Sequence, residues 1–373
     1  MTSMKAQNII IKVGTSTLTK ANGELNHARI KSIVSQIAQL TRSGFRVLLV
    51  SSGAVGAGMG AMGLDKKPAD LASKQALAAV GQVALMGLYE RLFWAYDIKI
   101  AQLLLTKDDF ANRARFLSAR EVCTRLLEAG VIPIVNENDP VVHDELKVGD
   151  NDTLSALVAG LVDASALIIL SDIDGLYDKN PIKFKDAKLI PEIDAITEQV
   201  RAMAGGAGSE LGTGGMATKI NAAAMATSYG VDLIIVNGAS ENILIKAANG
   251  ERVGSRFRAN KKRINLKKYW LSYAGAPKGS LEIDAGAQQA LVRGGSLLAV
   301  GVRGVSGEFK RGDLVKITKS GEVLGSGLVA YDSDECAIIA GAKGSEIEGL
   351  LGYKFDDFII HANNLSLSKK EEA

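Results

Sequence analysis

Cysteine and histidine are nearly absent from this chain. Its 373 residues include two cysteines, Cys123 and Cys336, more than two hundred positions apart. That excludes a disulfide scaffold and favours a reducing, cytoplasmic setting. The three histidines, His27, His143 and His361, are scattered singly, so a multi-histidine metal site is excluded. A Ser-His-Asp hydrolase would have to rely on His143 alone. No uninterrupted apolar run approaches the roughly 18 residues of a membrane span. The opening residues, Met1 to Asn8, lead straight into a strand-like stretch without the apolar core of a signal peptide. The expectation is a cytoplasmic protein without a membrane segment.

What is present is an ordinary globular composition, 47% hydrophobic and 23% charged, on a chain long enough for about two domains. Glycine is over-used at 40 residues, against an average share of about 7%. It follows no three-residue period, so the excess points to places where backbone approaches something closely. The formal charge of +3 is uneven. Residues 251–268 carry eight basic side chains and one glutamate, whereas residues 277–373 carry 11 basic and 14 acidic ones. The basic run reads either as a solvated interdomain linker or as a polyanion-binding patch. With Phe257 as its one aromatic, it is poorly equipped to stack bases.

The first 260 residues alternate β-branched runs with helical patterns. Strands are expected at Ile9–Val13, Arg46–Ser51, Ile98–Leu105, Val131–Asn136, Ala166–Ser171 and Asp232–Val236. Helices are expected near 28–43, 69–95, 116–129, 152–163 and 216–229. Runs such as VLLV and ALIIL are apolar at every position, as strands are when both sheet faces are covered. The fold class predicted is α/β, a three-layer sandwich with a mostly parallel central sheet. After residue 277 short strand-like runs (Ser280–Asp284, Ser296–Val300, Leu314–Thr318, Val323–Val329) are punctuated by glycine. They predict a small, mostly β module. The division expected is 1–260, a basic linker at 261–276, and 277–373 including a short tail.

In doubly wound folds ligands bind at the carboxyl ends of the strands, and the informative loops fall there. Lys12-Val13-Gly14-Thr15-Ser16 follows the first strand and Ser51-Ser52-Gly53-Ala54 the second, running on into Gly56-Ala57-Gly58-Met59-Gly60-Ala61. Asn136-Glu137-Asn138-Asp139 follows the fourth, with Gly149-Asp150-Asn151-Asp152 shortly after; Ser171-Asp172 follows the fifth. Gly212-Thr213-Gly214-Gly215-Met216-Ala217-Thr218-Lys219 opens a helix. Glycine-rich turns at helix N-termini present backbone N–H groups to anions. Lys12 and Lys219 could add charge where a transferring phosphoryl group becomes more negative, with Asp152 fixing both. Asn136, Asp139 and Asn151 supply donors and acceptors for a substrate bearing amino and carboxylate groups.

Several of these pieces have simpler readings. Asp150 suits a helix N-cap, and Cys123 suits a core position. GTGGMATK is not the Walker pattern. Gly56-x-Gly58-x-x-Ala61 formally fits a dinucleotide fingerprint, but no acidic residue closes a strand about 20 residues later.

The stretches IIKVGTSTLT, VLLVSSGAVGAG, ASKQALAAVGQ, VIPIVNENDPV, KVGDNDTLSALVA, LIILSDIDGLYDKNP and LGTGGMATKI, in this order and spacing, resemble the glutamate 5-kinase family of the amino-acid kinase superfamily. GSLEIDAGAQQAL, GGSLLAVGV and VSGEFKRGDLVKI resemble a PUA domain. The resemblance implies the amino-acid kinase fold and transfer of the γ-phosphoryl of ATP to the side-chain carboxylate of L-glutamate, the first step of proline biosynthesis. It implies Mg²⁺ as cofactor, with no protein residue singled out as its ligand. Carried over by position, it makes Lys12, Asp152 and Lys219 catalytic, and Ser52, Asp139 and Asn151 substrate-binding. It assigns ATP to Lys12, Ser171, Asp172, Thr213, Gly214, Gly215, Met216, Ala217, Thr218 and Lys219. It further implies feedback inhibition by proline and a homo-oligomer. Acetylglutamate kinase is the nearest chemical alternative, and RNA binding through the PUA module and basic run is a second activity of a different class.

Overall fold

Short runs of Ile, Val and Leu, buried on both faces, build the centre of the first of two units. The computed structural model describes residues 7–20, 24–106, 109–110, 112–141, 150–204, 215–261 and 277–367. Its units are Met1–Arg263 and Ile264–Ala373. The first contains β1 (Asn8–Val13), α1 (Thr15–Leu18), α2 (His27–Arg42), β2 (Arg46–Ser51), α3 (Ala54–Met62), α4 (Leu71–Trp94) and β3 (Ile100–Leu105). Then come α5 (Arg113–Glu128), β4 (Ile132–Glu137), α6 (Asn151–Leu161), β5 (Ala166–Ser171), β6 (Glu192–Ile193) and α7 (Glu198–Met203). It closes with α8 (Met216–Tyr229), β7 (Asp232–Asn237), α9 (Ile243–Ala248) and β8 (Ser255–Phe257).

These strands form one eight-stranded sheet in the order β3-β4-β2-β1-β5-β7-β8-β6. Every pairing is parallel except β7 with β8. Strand alternation sorts side chains onto two faces. Ile9, Ile11, Val13, Leu49, Ile132, Ile134 and Leu170 pack with α2, α4 and α9 on one face. On the other, α6 lies against β1, β2, β4 and β5, and α8 packs on α6 and β7. The result is the predicted three-layer sandwich. The order β4-β2-β1-β5 also makes neighbours of the four strands whose carboxyl ends carry the candidate site.

One sequence expectation needs correction. The glycine run after β2, read from sequence as part of a carboxyl-end loop, is helical over Ala54–Met62. Its glycines serve packing. A Cβ on Gly58 would stand 2.0 Å from the Leu77 carbonyl oxygen, and one on Gly81 1.8 Å from that of Ala54. Only hydrogen at both positions lets α3 and α4 approach so closely, and the dinucleotide fingerprint is absorbed into this contact. Gly53, which starts α3, has φ +93°, in the region glycine favours.

The basic run also resolves partly into sheet. Ser255 and Phe257 of β8 are buried, while Arg256 pairs with Asp232 at 3.4 Å and Arg258 with Glu192 and Asp232. Those arginines are engaged internally. Residues 262–276, which hold Lys262, Arg263, Lys267 and Lys268 of the run and most of the expected linker, lie outside the described residues.

α4 is long and apolar enough to cross a membrane by length and composition. One side of it packs into the core through Leu85, Leu88, Tyr89 and Phe93.

The second unit holds β9 (Gly279–Ile283), α10 (Ala285–Val292), β10 (Leu297–Leu298), β11 (Val302–Gly307), β12 (Leu314–Lys319) and β13 (Glu322–Leu328). It ends in α11 (Ser333–Ile339), α12 (Ile347–Leu351), β14 (Phe358–Ile360) and β15 (Leu365–Leu367). Its five-stranded sheet runs β11-β9-β12-β13-β15, and β10 pairs with β14. The strand expected at Ser296–Val300 shortens to β10, because Ala299–Gly301 turns as a 3-10 helix before β11. The core gathers Leu281, Ile283, Val315, Ile317, Tyr331 and Cys336.

Candidate active site

Lys12 shares a strand face with Ile10, turned towards α6, and is only 7% exposed. Asp152 stands in the first turn of α6, where a carboxylate is favoured by the helix dipole. Its neighbour Asp150 caps that helix by accepting from the Thr153 N–H at 2.8 Å. Lys219, also 7% exposed, comes from the start of α8. The three meet as one charged unit: Lys12 Nζ lies 2.7 Å from Asp152 Oδ1, and Lys219 Nζ 3.1 Å from Oδ2. The Thr218 hydroxyl donates to the same Oδ2 at 3.0 Å. The contact of Oδ1 with Lys12 is a short, buried ion pair.

Asp152 is 1% exposed. Burial by itself pushes its carboxyl up, but the two ammoniums more than offset this and hold it below the usual range. Two cations against one anion leave a net positive charge in a nearly dry setting, suited to a ligand carrying more negative charge.

Beside this unit a polar network closes the opposite end. Asn151 Nδ2 donates to the Ser52 hydroxyl at 2.8 Å, the Ser51 carbonyl at 3.0 Å and Asn136 Oδ1 at 3.0 Å. Asn136 Nδ2 in turn donates to Gln82 Oε1 at 3.0 Å. Asp139 begins a 3-10 turn, Asp139–Val141, just beyond β4. Ser171 ends β5 and its hydroxyl donates to Asp172 at 3.2 Å.

A cavity of about 630 Å³ opens over these strand ends. Lys12, Ser52, Asp139, Asn151, Asp152, Ser171, Asp172 and Lys219 all line it. Gly215 is the N-cap of α8, and Met216, Ala217 and Thr218 form its first turn without lining the cavity. Thr213 and Gly214 lie outside the described residues. The wall also includes Thr15, Ser16, Lys20, Lys67 and Met59, which the sequence reading did not single out. Thr15 and Ser16 were visible as hydroxyls beside Gly14; Lys20 and Lys67 gave no sign of facing a site. Of the remaining candidates, Cys123 is fully buried in the core with its thiol pushed up to about 12 by burial, and His143 lies outside the described residues.

The amino acid kinase family model matches residues 7–237, the segment that builds this sheet and cavity. The glutamate 5-kinase of Caldanaerobacter subterraneus subsp. tengcongensis is 47% identical over 366 residues, 98% of each chain. That of Moorella thermoacetica is 47% identical over 363 residues, covering 97% of this chain and 96% of its own. The chain belongs to the glutamate 5-kinases of the amino acid kinase family. A solved carbamate kinase from Giardia lamblia bound to AMP-PNP shares this family's fold at 18% identity, with a TM-score of 0.50 over 68% of the present chain and 99% of that one. The PUA domain model matches residues 279–351, within the second unit of this glutamate 5-kinase family member. Membership explains why separate strand ends converge: a kinase for a small acid must hold two anions in line over one set of cations.

Proposed function

We propose that this chain transfers the γ-phosphoryl group of ATP to the side-chain carboxylate of L-glutamate, giving L-glutamyl 5-phosphate for proline biosynthesis. The observation that carries this reading is the pair of buried ammoniums held at 2.7 and 3.1 Å from one carboxylate at the floor of a cavity large enough for both substrates. The 47% identity to glutamate 5-kinases over nearly the whole chain supports it.

A glutamate side chain is already ionised at neutral pH, so the acceptor needs no general base. The task is to align two anions and offset their repulsion. Lys12 and Lys219 do this from fixed positions, since Asp152 holds both before substrate arrives and little reorganisation remains. At about 4 Å and an effective dielectric near 20, each cation–anion pair contributes about 4 kcal/mol before desolvation. Ser171, Asp172 and the segment Thr213 to Lys219 hold the nucleotide. Ser52, Asp139 and Asn151 hold glutamate. Because Asn151 turns its amide nitrogen towards Ser51, Ser52 and Asn136, its Oδ1 is left to accept from the ligand. That oxygen and the Asp139 carboxylate suit a free ammonium better than an acetylated amine.

Mg²⁺ fits this cavity as a companion of the nucleotide. Among the described residues no group of three His, Cys, Asp or Glu could hold a metal, but single carboxylates line the wall. Mg²⁺ typically takes one or two carboxylates plus phosphates and water, so nucleotide and water would supply most of its ligands and a wall carboxylate such as Asp172 would complete the set. When bound, the ion neutralises charge on the β- and γ-phosphates.

Proline, sharing an α-carboxylate and amine with glutamate, would compete in the same acceptor pocket as a feedback inhibitor. Family membership supports a homo-oligomer and a cytoplasmic location. RNA binding by the second unit has less support, since residues 277–373 carry more acidic than basic side chains.

The test is incubation with ATP, Mg²⁺ and L-glutamate, trapping the acyl phosphate with hydroxylamine, with L-aspartate and N-acetyl-L-glutamate in parallel. Hydroxamate from L-glutamate alone is expected. Product only from the acetylated acid would transfer the assignment to acetylglutamate kinase chemistry.

A further inference from the structure

Two polar side chains of α4, Gln82 and Tyr89, are buried one heptad apart beneath the acceptor end of the cavity. Neither lines it. They meet the ends of two strands whose alternation turns Ser51 and Asn136 towards α4, on the face shared by Leu49 and Ile134. The Tyr89 hydroxyl lies 3.1 Å from Ser51 Oγ. Gln82 Oε1 accepts from Asn136 Nδ2 at 3.0 Å. Asn136 Oδ1 accepts from the Glu137 N–H at 2.9 Å and from Asn151 Nδ2 at 3.0 Å.

An asparagine amide has two orientations that interchange donor and acceptor. Here the Glu137 N–H, whose role is fixed, requires oxygen on one side, and Gln82 Oε1 completes the pairing by accepting from the nitrogen on the other. Asn136 is thereby fixed with its oxygen towards Asn151. Together with the Ser51 carbonyl, that oxygen holds Asn151 Nδ2 and leaves Asn151 Oδ1 for the ligand. We infer that Gln82 is a positioning residue for the amino-acid acceptor, anchoring the Asn136 amide, and through it Asn151, without touching substrate. This rests on the reading of the Ser52–Asn151 end as the glutamate pocket. Tyr89 backs the same corner through Ser51, whose carbonyl also accepts from Asn151.

Steady-state kinetics with full-length enzyme would test it with four variants: Gln82→Met, Gln82→Glu, Asn136→Ala and the Gln82→Met/Asn136→Ala pair. Gln82→Met keeps the volume and removes the acceptor. It should raise the L-glutamate KM about tenfold, the cost of one buried hydrogen bond, with the ATP KM within about twofold. Gln82→Glu retains an accepting oxygen and should stay within about threefold of the parent KM. In the Asn136→Ala background Gln82→Met should add nothing to the glutamate KM, because its effect runs through Asn136. Gln82→Asn, which withdraws the oxygen by one methylene, replaces the methionine variant if that one does not fold, with the same expectation. The inference is overturned if the two substitutions add fully, if both KM values rise together with a fall in Tm, or if Gln82→Glu is as impaired as Gln82→Met. If Asn136→Ala leaves the glutamate KM unchanged, the pocket assignment itself fails and the role of Gln82 with it. An Asn136→Ala effect without a Gln82→Met effect removes the positioning role alone.

Discussion

The Asn151 amide donates to the Ser52 hydroxyl at 2.8 Å, although the two residues stand ninety-nine positions apart. The contact exists because β2 and α6 end and begin beside one another at the sheet's carboxyl edge. It ties the loop after β2 to the first turn of α6 and places both side chains on the cavity wall. Asn151→Ala removes this bond and two others to Ser51 and Asn136. We expect the L-glutamate KM to rise about 10- to 100-fold, with kcat within about fivefold, since the bonds orient the acceptor in ground and transition states alike. Initial-rate kinetics at saturating ATP checks this; a fall in kcat alone would place Asn151 with the phosphoryl group instead.

The two lysines should behave in the opposite way. If Lys12 and Lys219 stabilise the charge that grows during transfer, as proposed, Lys12→Ala and Lys219→Ala should each lower kcat by about 10²- to 10³-fold with smaller changes in KM. The variants also leave Asp152 with one buried partner instead of two, so thermal unfolding should accompany the kinetics. An effect confined to either KM would argue against stabilisation of the transferring group.

Asp152 links this site to acid stability. Its folded carboxyl is held below the ordinary value of 3.8, with burial opposing and the Lys12 and Lys219 ammoniums prevailing. Such a group contributes stability in full above its unfolded value, and loses it as pH falls through the lower folded value. Asp152→Asn should therefore cost stability at pH 7, and the difference from the parent should shrink as pH falls below about 4. Denaturant unfolding at pH 7 and at successively lower pH measures it; a constant difference would mean that the charge on Asp152 is not what stabilises this corner.

The thiols give a cleaner readout of packing. Cys123 and Cys336 are both fully buried, and burial pushes each thiol up to about 12, aided at Cys336 by Glu335 and Asp332. Neither should react with a disulfide reagent at pH 8 in the native protein, and both should react after unfolding. Rapid native labelling of one equivalent would contradict the buried placement.

Much of the first unit was legible because parallel strands covered on both faces leave an unmistakable apolar run. Arg46–Ser51, Ala166–Ser171 and the helix 216–229 have the bounds read from sequence. The meeting of Lys12, Asp152 and Lys219 was legible because Lys12 stands near the carboxyl end of β1 while Asp152 and Lys219 stand in the first turns of α6 and α8, each opened by a glycine-containing loop. Their assignment to phosphoryl transfer came from the resemblance. Three things were hidden. α3 was masked by its glycines, which have low intrinsic helix propensity and are helical here because α4 packs against them. β8 was masked by the arginines around it, although Ser255 and Phe257 do alternate inward. Gln82 was masked because α4 is apolar around much of its circumference; Val80 and Val83 are exposed while Gln82 between them is buried.

The α3–α4 contact makes the last prediction. A methyl group on Gly81 would stand 1.8 Å from the Ala54 carbonyl oxygen and 2.3 Å from the Gly58 nitrogen. Both are backbone atoms that cannot rotate aside, so the helices must separate. Gly81→Ala should cost about 1–3 kcal/mol or more, even though alanine is the better helix former. Gly87, on the same helix, has nothing within 4 Å of an added Cβ. Gly87→Ala should therefore be neutral or stabilising by up to about 1 kcal/mol. Because Ala54 and Val55 line the cavity, displacement of α3 by Gly81→Ala should also raise the L-glutamate KM, whereas Gly87→Ala should leave it unchanged. Chemical denaturation and initial rates on the two variants measure both effects, and equal stability of the pair would show that the helix contact has more slack than the structure allows.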